Sequence, residues 1–179
     1  MLTIIVIENV PLFLLLTALF TSTLVILRHP HAMQNKYYVL DTFMAYLLLF
    51  PVGINCVWTF IMNTFLANQV LSLIDWGPQP FQFEFAVANL SIGATAIIAF
   101  RETFEFRLAI IITAGIYLWG CAISHIKQIL LSPFFNLEHV GSALYIDLII
   151  PFVLFSLVFA RFLATKPSSG GTGDSAAPS

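Results

Sequence analysis

Four ionisable side chains stand at the ends of long apolar stretches, where they could handle a proton or a cation. Glu8 precedes the first stretch, Glu84 opens the third, His125 closes the fourth and Asp147 lies about a turn inside the fifth. Ionisable groups in membrane segments are costly, so each of them is a candidate functional residue. Together with Asn89, they form the predicted binding site for a small cation, a proton or another small solute.

Each of these side chains also has an ordinary structural explanation. Glu8 and Glu84 can mark the membrane interface, and His125 can be an interfacial histidine whose hydrogen bonds are satisfied. Asp147 lies deeper, and Pro151 has no N–H to donate to the carbonyl of Asp147 one turn earlier. An unpaired carbonyl beside a carboxylate suits a proton relay or a hard cation. The sequence assigns neither a specific metal nor a cofactor.

Sequence motifs of the common enzyme classes are missing. The chain has no phosphate loop, dinucleotide fingerprint, His-Glu-x-x-His, Cys-x-x-Cys or nucleophile elbow. Cys56 and Cys121 fall inside apolar stretches, so they are expected to be small core residues and not a disulfide or a thiolate metal site. His29 and His31 alone are a weak metal signal. An enzyme is therefore disfavoured.

The elements that must position these residues are helices of membrane-spanning length. The chain is 59% hydrophobic and 9% charged, with a mean hydropathy of +0.94. Crossing a bilayer takes about 20 mostly apolar residues. Five windows qualify and are called spans one to five: Val10–Leu27, Tyr38–Phe65, Phe85–Phe100, Leu108–Ile126 and Ala143–Leu163. The predicted fold class is an all-α integral membrane bundle of five transmembrane helices.

The positions of the basic residues predict the orientation of this bundle. With five spans, six basic residues share one side: Arg28, Lys36, Arg101, Arg107, Arg161 and Lys166. The opposite side receives only Lys127. Because short cytoplasmic loops hold the excess of Lys and Arg, the N-terminus is predicted outside and the C-terminus inside. All four ionisable candidates then lie toward the outer boundary.

The remaining segments complete the predicted organisation. Residues 67–83 contain Gly and Pro between apolar residues and are expected to lie at the interface without spanning. A secretory signal peptide is the competing interpretation of span one, but the chain starts without a basic region, so we expect this span to be retained. Residues 1–166 are predicted to form one domain, and residues 167–179 a disordered cytoplasmic tail.

Small residues predict which helix faces pack. One face of span three carries Glu84, Ala88, Ser91, Thr95 and Ala99, and the opposite face carries Ala86, Asn89, Gly93 and Ala96. Small residues let helices in lipid approach closely, so span three is expected to have neighbours on both faces and to be the central helix. Span four is expected beside it, and Pro51 is expected to kink span two.

The charged residues on the inner side are expected to form mostly a solvated turn. They are Asp41, Arg101, Glu102, Glu105 and Arg107. Arg101 and Glu105 have the spacing of a surface ion pair, which would contribute little stability.

Two short segments resemble a known family pattern. These are Glu-Phe-Ala-Val-Ala-Asn-Leu-Ser-Ile-Gly at residues 84–93 and Ser-His-Ile-Lys-Gln at residues 124–128. The pattern resembles that of a family of small uncharacterised bacterial multi-pass membrane proteins. The resemblance implies a compact helical bundle and no established activity, and Glu84, Asn89, Gly93 and His125 are the positions that match.

Three functions stay open on this basis. The first is a bundle that binds or moves a small solute through the outer polar cluster, and the second is a structural or accessory subunit of a larger membrane complex. The third is a membrane enzyme that acts on a lipid or quinone, with a carboxylate and His125 as acid and base. The expected partners are the lipid bilayer and a second copy or a membrane-complex subunit, in the bacterial inner membrane. With seven basic residues and a net charge of −2, the sequence shows no basic surface of the kind that binds nucleic acid.

Overall fold

A computed structural model describes residues 9–67, 80–131 and 141–164 of the chain. The regular structure in these ranges is helical. In chain order the elements are α1 (Val10–Arg28), α2 (Pro30–Met33), α3 (Lys36–Leu47), a π-helical segment (Leu48–Ile54), α4 (Asn55–Phe65), α5 (Gln82–Ala99), α6 (Phe104–Leu131) and α7 (Gly141–Ala164). Glu8, the tail at 167–179 and most of the predicted interfacial segment lie outside the described residues.

Five stretches are long and apolar enough to cross a membrane. They are Val10–Arg28, Lys36–Phe65, Gln82–Ala99, Phe104–Lys127 and Ala143–Ala164. Each coincides with one predicted span, and the ends differ by four residues at most. The all-helical fold class and the number of membrane-length helices are therefore confirmed.

Span two is one continuous stretch made of α3, the π-helical segment and α4. Pro51 lies inside the π-helical segment and is buried. Since proline lacks an N–H and its ring crowds the carbonyl four residues earlier, the wider π geometry accommodates it where an α-helix would be strained. A kink was the predicted effect of Pro51, and the structure has at this position a change from α-helix to π-helix in the middle of span two.

The centre of the bundle is span two and not span three, which corrects the prediction. Met44, Leu48 and Val52 are completely buried, and α1, α5 and α7 all pack against this span. Span three lies to one side, and its two small-residue faces are covered unequally. Ala86, Asn89, Gly93 and Ala96 form a fully buried face. On the other face, Glu84 and Ser91 are exposed, Ala88 and Thr95 are half-buried and Ala99 is buried.

Glycines allow the close approach of α5 to span two. A Cβ added at Gly93 would lie 2.9 Å from the carbonyl oxygen of Gly53 and 3.0 Å from the amide nitrogen of Val57. The backbones are therefore in direct contact at this crossing, as small residues permit in membrane bundles.

Span four, α6, packs most extensively on α7. Gly115 faces the ring of Phe155, and Trp119 stacks near the same ring at 5.3 Å. Contact between α5 and α6 is present but less extensive, so the expected pairing of spans three and four is secondary to the α6–α7 pair.

One end of the bundle, here called the arginine end, is connected by Asp41, Arg107 and Arg161. Arg161 donates from Nε and Nη2 to the two carboxylate oxygens of Asp41 at 2.6 and 3.2 Å, and its guanidinium lies 3.8 Å from the centre of the Phe104 ring. Arg107 donates to the carbonyls of Ala99, Phe100 and Asp41.

This network corrects the expectation of a solvated turn for Asp41 and Arg107. Both are partly buried, because the guanidinium groups reach across from α6 and α7 to α3 and to the end of α5. Arg101, Glu102 and Glu105 are exposed as expected, but no ion pair joins Arg101 to Glu105 among the described residues.

Candidate functional site

Asp147 lies on the buried face of α7. It is 9% exposed and follows Ile146, while Ile150 and Leu154, one and two turns on, are completely buried. Because residues three, four and seven apart share a helix face, the apolar pattern that buries α7 also takes Asp147 into the bundle. Pro151, one turn on, is buried too and leaves the Asp147 carbonyl without its usual N–H partner.

His125 of α6 lies beside Asp147 and forms an ion pair with it when the imidazole is protonated. Its Nε2 lies 3.8 Å from Oδ2 of the carboxylate, and the two side chains are 29% and 13% exposed. The distance is within ion-pair range but longer than a direct hydrogen bond. The imidazole is half-buried, so it stands between the buried carboxylate and the surface at this end of the bundle, here called the histidine end.

A column of side chains on α6 continues from His125 into the bundle. Tyr117, Cys121 and His125 follow at intervals of four residues, which places them on one helix face. The Tyr117 hydroxyl makes a polar contact with the Cys121 thiol. Cys121 and Cys56 of α4 both lie close enough to Asp147 to interact with it electrostatically. The surroundings of Asp147 thus combine one imidazole, two thiols and a phenol.

Asn89 joins this column from α5. Its side chain is 3% exposed, and its amide nitrogen donates to the carbonyl of Phe85 at 3.0 Å and to the hydroxyl of Tyr117. The Phe85 ring stacks on the Tyr117 ring at 6.2 Å. Three predicted site residues, Asn89, His125 and Asp147, therefore belong to one polar cluster of α5, α6 and α7.

Glu84, a fourth predicted site residue, lies outside this buried cluster. It is exposed in the first turn of α5 and forms no ion pair within the described part of the chain. It belongs to the less covered face of α5, and a carboxylate at a helix N-terminus is favourably placed without any ligand. Glu8 lies outside the described residues, so its expected place in the site stays a prediction.

Sequence reasoning missed Tyr117 and Cys121 as members of the cluster. The sequence analysis expects Cys121 to be a small core residue and assigns no role to Tyr117. The signal available was their four-residue spacing from His125, but the spacing alone does not show that Asp147 and Asn89 face the same column.

The polar cluster contains two side chains, Asp147 and His125, that can take up and release a proton. Among the described residues, no group of three or more His, Cys, Asp and Glu side chains is arranged to hold a metal ion. Asp147 and His125 can share or exchange a proton, whereas hard cations need several oxygen ligands.

A separate groove of about 300 Å³ runs between α5 and α6. It is lined by Ser91, Ile92, Thr95, Phe106, Ala109, Ile110 and Thr113. The hydroxyls of Ser91, Thr95 and Thr113 each donate to the carbonyl four residues earlier in their own helix. The groove therefore presents a mostly apolar surface, and neither His125 nor Asp147 lines it.

Comparison with known proteins places the chain in a family. The family of unknown function DUF6790 matches residues 8–166, and the chain belongs to it. The resemblance to an uncharacterised family is thus confirmed. Comparison with curated proteins and with solved structures gave no match.

Proposed function

We propose that this protein is a multi-pass membrane protein that binds and releases a proton at the Asp147–His125 pair. This exchange moves the proton itself, or another small solute coupled to it, across the membrane. The observation that carries the proposal is the burial of the Asp147 carboxylate inside a membrane-length helix, 3.8 Å from an imidazole. Intramembrane ionisable residues that face the bundle interior are typical of proton relays.

The imidazole of His125 beside Asp147 favours a role in proton exchange over a role as a permanent structural charge. Histidine is the side chain that ordinarily changes charge between about pH 5 and 8. A carboxylate beside arginine would stay ionised, but a carboxylate beside an imidazole shares a site whose total charge depends on pH. The half-buried His125 gives this site a route to the end of the bundle.

The proposed orientation places the site at the outer leaflet. With the N-terminus outside and the C-terminus inside, the arginine end faces the cytoplasm and the histidine end faces out. We propose the bacterial inner membrane as the location.

Purified protein in liposomes that enclose a pH-sensitive dye tests the proposal. We expect an imposed pH gradient to dissipate faster with the wild-type protein than with Asp147→Asn or His125→Gln, since each variant removes one titrating partner at nearly constant size. In parallel, the difference between the infrared spectra of the wild-type protein and Asp147→Asn isolates the Asp147 carboxyl from the other Asp and Glu residues. Its carboxylic acid band should grow in this difference spectrum as pH falls.

Two exposed residues supply matched controls. Glu84→Gln and His31→Gln make the corresponding chemical changes at exposed positions. Both should retain the wild-type rate and the Asp147 component of the infrared band. Wild-type behaviour of Asp147→Asn in both assays would refute the proposal.

The groove between α5 and α6 favours a second candidate, an accessory subunit of a membrane complex. Ser91 with Thr95 and Ala109 with Thr113 are two pairs of small residues at four-residue spacing, and both line the groove. Such pairs permit close helix approach in lipid. Purification in mild detergent, followed by identification of copurifying proteins, tests this candidate, and a monodisperse monomer would argue against it.

A further inference from the structure

Asn55 brings a polar atom without a partner into the interior of span two. It is the first residue of α4, directly after the π-helical segment, and it is 8% exposed. Its Oδ1 is buried and has no hydrogen-bond partner among the described residues. A buried amide oxygen that accepts no hydrogen bond is costly, and bound water is the usual partner where protein groups supply none. The orphaned oxygen therefore indicates a bound ligand that donates hydrogen bonds.

Thr59 supplies a second acceptor on the same face of α4. It lies one turn beyond Asn55, and its hydroxyl donates to the Asn55 carbonyl at 2.9 Å. A hydroxyl has one hydrogen and two lone pairs, so the Thr59 oxygen can still accept hydrogen bonds. Side chains four residues apart on a helix have Cβ atoms about 5–6 Å apart, a gap that one water molecule can bridge.

Two further polar side chains continue from this pair to the histidine end. Asn63, one turn beyond Thr59, donates to the Thr59 carbonyl at 2.9 Å, and Gln82 of α5 donates to Asn63 Oδ1 at 3.4 Å. Asn55 is buried and the other three are half-buried, so exposure increases toward this end. The bond between Gln82 and Asn63 is longer than an ordinary N–H···O bond and is therefore a weak closure.

We propose that Asn55 and Thr59 hold a buried water molecule that exchanges with the histidine end past Asn63 and Gln82. The water donates one hydrogen to Asn55 Oδ1 and the other to Thr59 Oγ1, which gives it the two polar partners that a buried water needs. A hard cation fits less well, because it takes six or more oxygen ligands. The site uses none of the residues of the Asp147–His125 pair, so its test is independent of the proposed function.

Nuclear magnetic resonance of the full chain with isotope-labelled asparagine, in detergent micelles, tests the site. The side-chain amide protons of Asn55, assigned by their loss in Asn55→Leu, should show a cross-relaxation peak with a long-lived water. Asn89 is the internal control, because it is 3% exposed but donates to the Phe85 carbonyl and the Tyr117 hydroxyl. A water peak missing at Asn55, or equally strong at Asn89, would overturn the proposal.

Thr59→Val removes the second acceptor at nearly constant shape. The residence time of the water at Asn55 should fall about fivefold, the value of one ordinary hydrogen bond. Thr113→Val is the matched control, since the Thr113 hydroxyl also donates to the carbonyl four residues earlier, but on α6. It should leave the residence time unchanged. The same decrease in both variants, or in neither, would contradict a water held by Thr59.

The stability of Asn55→Leu gives a second readout. With water bound, the variant loses a hydrogen bond, and the unfolding equilibrium constant should rise about fivefold. Without water, the variant would remove a buried polar group that has no partner, and the constant would fall. A fall would therefore overturn the proposal.

Gln82→Ala tests the exit at the histidine end. Loss of the bond to Asn63 should speed the exchange of the Asn55 side-chain amide protons with heavy water. Glu84→Ala changes an exposed residue of the same helical turn and should leave the exchange rate unchanged. An unchanged rate in Gln82→Ala would overturn exchange by this route.

Discussion

At the scale of single residues, the bundle contains two carboxylates in contrasting pairs. Asp41 binds a guanidinium that stays charged at any physiological pH, whereas Asp147 lies beside an imidazole that can gain or lose its charge. The first pair provides a constant electrostatic contact between helices. The second has a charge that responds to its surroundings, which is the property that a proton-binding site requires.

At Gly93 the backbones of two helices are in direct contact, and this residue carries the first stability prediction. Gly93→Ala would force a methyl group to 2.9 Å from the Gly53 carbonyl oxygen. Because the obstacle is backbone, the helices must separate, and overpacking of this kind costs about 1–3 kcal/mol. The free energy of unfolding in mixed micelles should fall accordingly.

Gly120→Ala is the control for this variant. A Cβ at Gly120 meets no heavy atom within 4 Å, and alanine favours a helix over glycine. The free energy of unfolding of Gly120→Ala should therefore equal or exceed that of the wild-type protein. Equal stability of the two glycine variants would show that the close crossing does not limit the fold.

At the scale of elements, the arginine end joins helices that are far apart in sequence. Arg161 at the end of α7 reaches Asp41 of α3, and Tyr37 of α3 donates to the carbonyl of Ala164 at 2.6 Å. Arg107 donates to the carbonyls of Ala99, the last residue of α5, and of Phe100, its C-cap, where a helix lacks its own N–H donors. This end of the bundle is therefore held by charge-assisted hydrogen bonds as well as by apolar packing.

Asp41→Asn should loosen this end. The substitution removes the charge that pairs with Arg161, and since the pair is only partly buried we expect a loss of about 1–2 kcal/mol of unfolding free energy. Unfolding in mixed micelles is the measurement. The exposed Arg101→Gln should have almost no effect, and an equally large loss in that variant would show that net charge, and not the specific pair, matters.

At the scale of the whole molecule, the two ends of the bundle differ in chemistry. The arginine end carries permanently charged groups in fixed contacts, and the histidine end carries the titratable pair. The five membrane-length helices of the described residues alternate in direction if each crosses the membrane in turn, which would leave Asn9 and Ala164 on opposite sides. The proposed orientation then gives the two ends separate environments.

Reporter fusions test this arrangement. A reporter joined at the N-terminus should be active only outside, and one joined after residue 179 only in the cytoplasm, because the basic residues gather at the arginine end. Fusions that report the same compartment would contradict five crossings, and the reverse pattern would place the histidine end in the cytoplasm.

The sequence by itself determined the helical spans, the residues that share each face of α5 and the two ionisable residues that the structure brings together. Long apolar runs have few alternatives to a spanning helix, since backbone groups in lipid must be satisfied internally. The small and polar positions Ala86, Asn89, Gly93 and Ala96 share one face by simple periodicity. His125 and Asp147 were predicted because charge inside such runs is costly.

Only the tertiary structure decided which faces meet. The periodicity of a helix shows which residues share a face, but the rotation of each helix against its neighbours sets which face is covered. Span two thus replaced span three at the centre, Glu84 was left exposed, and Arg107 and Asp41 joined a network with Arg161. The contact of Tyr117 with Asn89 joins residues 28 positions apart, and it depends on this rotation and not on spacing in the chain.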